Sequence, residues 1–203
     1  MHSYEPRRGH RLRHYPFNSI VGPRPIGWVG TQDRAGRRNL APYSFFNAFN
    51  YVPPIIGFAS IGAKDSLRNV NETGEFTWNL ATRPLAEAMN LTSVGAPHNV
   101  DEFKPAHLDV APSELIAPPR VAASPVTFEC RVSQVVQLTA AAGNPVDTWL
   151  ILGEVVMVHI RGDLVRDGVY DTVAAEPILR GGGPHDYFEI SEACRFAMRR
   201  PPQ

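Results

Sequence analysis

Two stretches of this 203-residue chain concentrate residue types that could do chemistry. The first, Asn39-Leu40-Ala41-Pro42-Tyr43-Ser44-Phe45-Phe46-Asn47, combines a proline-restricted backbone with a hydroxyl, an amide and three aromatic rings. The second, Ser60-Ile61-Gly62-Ala63-Lys64-Asp65-Ser66, puts small residues and a lysine just before the start of a predicted helix. A helix N-terminus offers unpaired N–H groups at the positive end of its dipole, which suits a phosphate. Lys64 adds a point charge, and Ser60 and Ser66 add hydroxyl donors. Spacing alone favours a plainer reading. In it, Asp65 and Ser66 cap a surface helix, Lys64 is solvated, and Tyr43, Phe45 and Phe46 belong to the core.

Other chemistries lack their patterns. No G-x-G-x-x-G follows a strand and no G-x-x-x-x-G-K-[ST] occurs, so the common nucleotide-phosphate loops are missing. There is no H-E-x-x-H, the seven histidines have no metal-ligand spacing, and no G-x-S-x-G presents a serine nucleophile. His159 sits in a predicted strand, where a structural hydrogen bond is its expected role.

The elements that must position the two stretches read mainly as short strands. Ile26 to Thr31 is predicted as a strand with Ile26 and Trp28 on one face. Asp33-Arg34-Ala35-Gly36 supplies turn chemistry, and the chain returns through Asn39 to Tyr43 as a hairpin. Ile55 to Ser60 follows Pro53-Pro54 as a buried strand, and Asp65 to Thr73 is a short helix with Gly74 at its C-terminal cap. Phe76 to Leu80 is a further strand. Thr82 is read as the cap of a helix from Arg83 to about Ser93, with Leu85, Ala86 and Met89 as its buried stripe. Residues 97–124, with five prolines, read as a long excursion with one helical turn near Asp101-Glu102-Phe103. Val126 to Val136 and Trp149 to Ile160 are the strongest strand signals, joined by a loop holding Gly143, Asn144 and Pro145. Six or so antiparallel strands with two short helices predict a mainly β fold, a β-barrel, and exclude alternating strand–helix units.

Composition bounds the function. The chain suits one domain, residues 1–203, with an N-terminal arm over 1–18 and a C-terminal tail over 191–203. A formal net charge of zero, from 20 basic and 20 acidic residues, argues against a nucleic-acid partner. Cys130 and Cys194 form no C-x-x-C and are expected to be unpaired thiols. Ile55 to Ala63, the longest apolar stretch, is about half of what a membrane span requires. The first residues lack the apolar segment of a signal peptide. The expectation is a cytoplasmic protein with no membrane association.

The ordered blocks Pro23-Arg24-Pro25-Ile26-Gly27-Trp28-Val29-Gly30-Thr31, Asn39 to Phe46, Pro53-Pro54, and Lys64-Asp65-Ser66 with Asn69 resemble the flavin reductase-like, FMN-binding family. The resemblance continues through Glu72-Thr73-Gly74-Glu75-Phe76, Asn79-Leu80, Asp101-Glu102-Phe103 and Phe128-Glu129-Cys130 to Gly153-Glu154-Val155. It implies an FMN-binding, antiparallel Greek-key split β-barrel, assembled as a homodimer with FMN near the interface. Mapped by motif, Lys64, Asp65 and Ser66 hold the phosphate end with Ser60 nearby. Tyr43, Ser44 and Phe45 pass along the isoalloxazine ring, and Thr31 closes the pocket. Asn47, Thr92 and Arg180 are secondary candidates, Arg180 with a structural ion pair as its alternative. Ser66 stands where the family often has threonine, which keeps the hydroxyl. The implied activity is NAD(P)H:flavin reduction, with NADH or NADPH as cosubstrate and free flavin, a monooxygenase partner or another acceptor receiving the electrons. No side chain is assigned as catalytic, since the flavin carries the chemistry. The alternatives are an FMN electron carrier reduced by a partner protein, and a non-catalytic flavin-binding or scaffold barrel.

Overall fold

The computed structural model describes residues 1–201 apart from Ala96 and Asn99. Asn99 falls in the expected excursion 97–124, and Pro202 and Gln203 in the expected tail, so those positions lie outside the described residues.

The first hairpin forms as its turn chemistry dictates. Strand β1 (Gly27–Gln32) pairs antiparallel with β2 (Arg38–Tyr43) in a register that sets Thr31 opposite Asn39. Buried Asp33 holds the turn, its Oδ1 accepting the backbone N–H groups of Ala35 and Arg37 at 2.9 Å each. Strand β1 is buried on both faces, with Trp28 and Val29 in two different apolar clusters, because elements pack on either side of it.

The main sheet has seven strands in the order β2-β1-β5-β8-β9-β4-β3. They are completed by β3 (Phe46–Asn50), β4 (Ile55–Ile61), β5 (Glu75–Asn79), β8 (Val126–Thr139) and β9 (Pro145–Ile160). All neighbours pair antiparallel. The sheet curls until its two ends meet. The Tyr43 ring on β2 lies 4.6 Å from Phe58 on β4, and Phe46 on β3 stacks on Trp78 of β5 at 5.7 Å. Phe58 also meets Phe76 edge-on at 5.5 Å, filling the interior. Full burial of each such ring contributes about 1.5–3 kcal/mol. Gly153 on β9 permits the closure, since a Cβ there would fall 2.6 Å from Phe76 Cζ.

A second core lies on the outer face. Trp28, Leu40, Met89, Phe103, Val121 and Ile178 pack there under helix α3 and the 101–121 segment. Helix α1 (Phe17–Ile20) is an exposed turn of the arm, α2 is Asp65–Thr73, and α3 is Ala86–Leu91.

Several expectations need correction. Lys64, not Asp65 or Ser66, occupies the N-cap of α2, and no side chain caps it. Ser66 instead turns inward, 1% exposed. Gly74 does end α2 in the left-handed conformation, φ +72°. The predicted helix from Arg83 to Ser93 is a 3-10 turn, Arg83–Leu85, followed by the short α3, which ends at Leu91. The long excursion holds a small hairpin, β6 (Val110–Ala111) with β7 (Arg120–Val121), and β3 had no sequence reading of its own. Among the described residues, no helix is long and apolar enough to cross a membrane.

Candidate functional site

A cleft of about 260 Å³ opens where β2, the start of α2 and the segment after α3 converge. Asn39, Ala41, Pro42 and Tyr43 form one wall, Lys64, Asp65 and Ser66 the second, and Thr92 to Gly95 with Glu102 the third. The first two walls are the stretches singled out in the sequence. The curl of the sheet brings them together.

Behind the cleft runs a buried polar network. Asn39 Nδ2 donates to Ser66 Oγ at 2.9 Å and to Thr31 Oγ1 at 3.2 Å, and Asn69 Nδ2 donates to the same Thr31 hydroxyl at 3.0 Å. Thr31, fully buried, therefore lies beneath the cleft and ties β1 to α2. Two buried atoms have no partner among the described residues, Tyr43 Oη and Asn69 Oδ1. Burial pushes the Tyr43 phenol up, an effect the nearby hydroxyls of Ser66 and Ser60 oppose without a hydrogen bond to it. A buried polar atom left unpaired costs about 1–3 kcal/mol, which makes it a natural place for a ligand atom.

The charges of the cleft are unevenly satisfied. Exposed Lys64 makes no side-chain bond among the described residues and stands beside the uncapped first turn of α2. Asp65 is paired, its Oδ1 lying 2.9 Å from both Arg68 Nη1 and His98 Nδ1. Buried Glu102 accepts the Leu40 N–H through Oε2 at 3.1 Å. Burial pushes its carboxyl up, aided by the charges of Asp65 and Asp101.

The remaining sequence candidates lie elsewhere or have committed polar atoms. Thr92 lines the cleft, but its hydroxyl accepts Trp28 Nε1 at 3.0 Å and donates to the Met89 carbonyl at 2.7 Å, so it anchors the segment after α3. Ser60 is buried and donates to the Gly62 carbonyl at 2.9 Å. Ser44 and Phe45 are half-buried beside Arg24, whose Nε donates to the Ser44 carbonyl at 3.0 Å and whose guanidinium lies 5.6 Å from the Phe45 ring. Asn47 is exposed on β3, its Oδ1 accepting the Ala48 N–H. Arg180 makes no ion pair among the described residues. Its guanidinium donates to the carbonyls of Gly181, Gly183, Pro184 and Asp186 and lies over Tyr187, which holds the loop after the short strand Ile178–Arg180.

The sequence reading named Thr92 in the third wall but missed Glu102 and Ser93 to Gly95. Asp101-Glu102-Phe103 was already among the blocks of the family resemblance, and that was the available signal.

The profile of the Flavin reductase like domain matches residues 22–176. An uncharacterized protein of Halalkalibacterium halodurans is 37% identical over 194 residues, covering 91% of this chain and 90% of that protein. Nitrilotriacetate monooxygenase component B from Bacillus cereus superposes with a TM-score of 0.88 at 30% identity, covering 98% of each chain. A split barrel domain protein from Shewanella frigidimarina superposes with a TM-score of 0.79 at 24% identity, covering 90% of this chain and 89% of that one, and so shares the fold. The curled seven-stranded sheet is accordingly a split barrel, and the chain belongs to the Flavin reductase like domain family.

Proposed function

We propose that this protein is an FMN-dependent oxidoreductase that takes electrons from NADH or NADPH and passes them to an acceptor. The observation that carries the reading is the orphaned Tyr43 hydroxyl in a cleft that also holds the uncapped α2 N-terminus and the unpaired Lys64. This donor set fits a flavin mononucleotide, an aromatic ring system ending in one phosphate.

Lys64 and the first N–H groups of α2 would hold the phosphate, combining a point charge with the helix dipole. The Asn39–Ser66 bond fixes the Ser66 hydroxyl, so the donor is preorganised and loses little entropy on binding. Tyr43 would donate its O–H to the cofactor, and Ser93 to Gly95 would shield the site from water. When bound, FMN supplies the hydride and electron chemistry, and the chain supplies position and electrostatics.

The Bacillus cereus neighbour is named as a monooxygenase component, which supports an electron-accepting partner enzyme here. A homodimer is part of the proposal. Phe49 on the edge strand β3 and the adjoining Tyr51 and Val52, 90% and 80% exposed, offer an apolar surface beside the curl.

The test is an anaerobic spectrum of the FMN-loaded protein titrated with NADH and then NADPH. Bleaching of the flavin bands is expected. FMN that binds but stays oxidised with both nucleotides would replace the reductase reading by the electron-carrier one, and a protein that takes up no FMN would overturn both.

A further inference from the structure

A second cavity adjoins the cleft, of about 370 Å³ and walled by Gly36, Arg37, Arg38, Asp101 and Lys104. The two cavities share chain neighbours on two segments: Arg38 precedes Asn39, and Asp101 precedes Glu102. The His98 imidazole also spans them, with Nδ1 2.9 Å from Asp65 Oδ1 and Nε2 3.4 Å from Arg37 Nη2.

The three cations of this cavity are differently committed. Arg37 is held by Asp33, with Nε and Nη2 each 2.6 Å from Oδ2. Asp33 can hold it because, against its burial, the Arg37 and Ala35 bonds keep its carboxyl below the usual range. Arg38 approaches Asp101 only to 3.9 Å, and its side chain makes no hydrogen bond among the described residues. Lys104 is exposed and has no side-chain partner among the described residues. Three cations thus face two carboxylates, Asp33 and Asp101. The loosely held Arg38 guanidinium can give a phosphate two parallel bonds and exposed Lys104 a point charge, while Arg37, its Nε and Nη2 committed to Asp33, adds a fixed positive charge.

We propose that this cavity is a nucleotide-phosphate subsite, taking a phosphate group that lies beyond the flavin phosphate. Two ligands carry one at such a place: the 2′-phosphate of NADPH and the adenylate phosphate of FAD. The inference rests on the flavin reading of the adjoining cleft.

The experiment compares the wild type with Arg38→Ala/Lys104→Ala, whose two side chains lie outside the core, and with Arg38→Lys/Lys104→Arg, which keeps both charges. Calorimetry measures 2′,5′-ADP and 5′-AMP binding to FMN-loaded protein, and FMN and FAD binding to flavin-free protein. If the 2′-phosphate is the occupant, the double alanine variant weakens 2′,5′-ADP about tenfold and 5′-AMP far less, while the charge-keeping variant restores binding. If FAD is the occupant, the same loss falls on FAD and spares FMN. Equal losses on all four ligands, no loss on any, or no wild-type binding of either 2′,5′-ADP or FAD overturns the subsite. Binding of 2′,5′-ADP by a protein that takes up no FMN would leave the subsite standing and remove the flavin reading.

Discussion

Asn39 Nδ2 lies 2.9 Å from Ser66 Oγ, joining the second strand to the first turn of α2 across 27 positions of sequence. The same amide reaches Thr31, so one side chain aligns two walls of the cleft. Asn39→Ala removes both donors from a buried network. It is expected to lower stability by about 1–3 kcal/mol in urea unfolding and to weaken FMN as well. Unchanged stability would mean that the network is not formed in solution.

Tyr43→Phe separates ligand binding from folding. In the flavin-free protein the Tyr43 hydroxyl is buried without a partner among the described residues, so its removal should leave stability equal or raise it by about 1 kcal/mol. FMN affinity should fall about tenfold, the loss of one good hydrogen bond. Flavin fluorescence titration and thermal melting of the same sample test both halves.

Two buried glutamates act oppositely on acid stability. Glu129 accepts the Glu114 and Leu115 N–H groups at 2.8 and 2.7 Å and lies 2.7 Å from His159 Nε2. Those bonds outweigh its burial and hold its carboxyl below the usual range. Its stabilisation is therefore present above the ordinary glutamate value of 4.5 and is lost as pH falls through the lower folded value. Glu102 is shifted upward, so its contribution is present below the ordinary value and lost as pH rises through the folded one. In thermal melts against pH, Glu129→Gln should flatten the acid limb of the profile. Glu102→Gln should remove the decline on its alkaline side.

Cys130 is buried on β8 beside Glu129, and burial, followed by that charge, pushes its thiol up. Cys194 is exposed, and both thiols are free. A thiol reagent should modify one cysteine in the native protein and two in denaturant. Peptide mapping should place the native label on Cys194.

The proposed dimer predicts a concentration-dependent mass. Light scattering should give twice the chain mass for the wild type, and Tyr51→Glu/Val52→Glu should move the protein toward monomer with weaker FMN binding. A monomeric wild type at tens of micromolar would remove the dimer from the proposal.

Much of the scaffold was legible locally. Asp33 to Gly36 announced the hairpin, the apolar runs of β4, β8 and β9 announced strands, and Gly74 announced the end of α2. Each of these signals acts within a window of a few residues, which is the reach of turn chemistry and hydrophobic periodicity. Strand β3 escaped because Asn47 and Asn50 interrupt its apolar alternation, and an edge strand needs less of it.

The sequence by itself determined the mainly β class, the family and the two stretches that wall the cleft. Only the tertiary structure decided which of their atoms stay free. Ser66 looked like a cap and instead bonds Asn39; Thr31 sits beneath the cleft; Arg180 spends its donors on a loop. The third wall, Thr92 to Gly95 with Glu102, and the basic cavity beside it come from residues distant in the chain. Curling of the sheet and burial of Trp28, Met89 and Phe103 draw them in, and no local pattern records a closure driven by apolar burial across the whole chain.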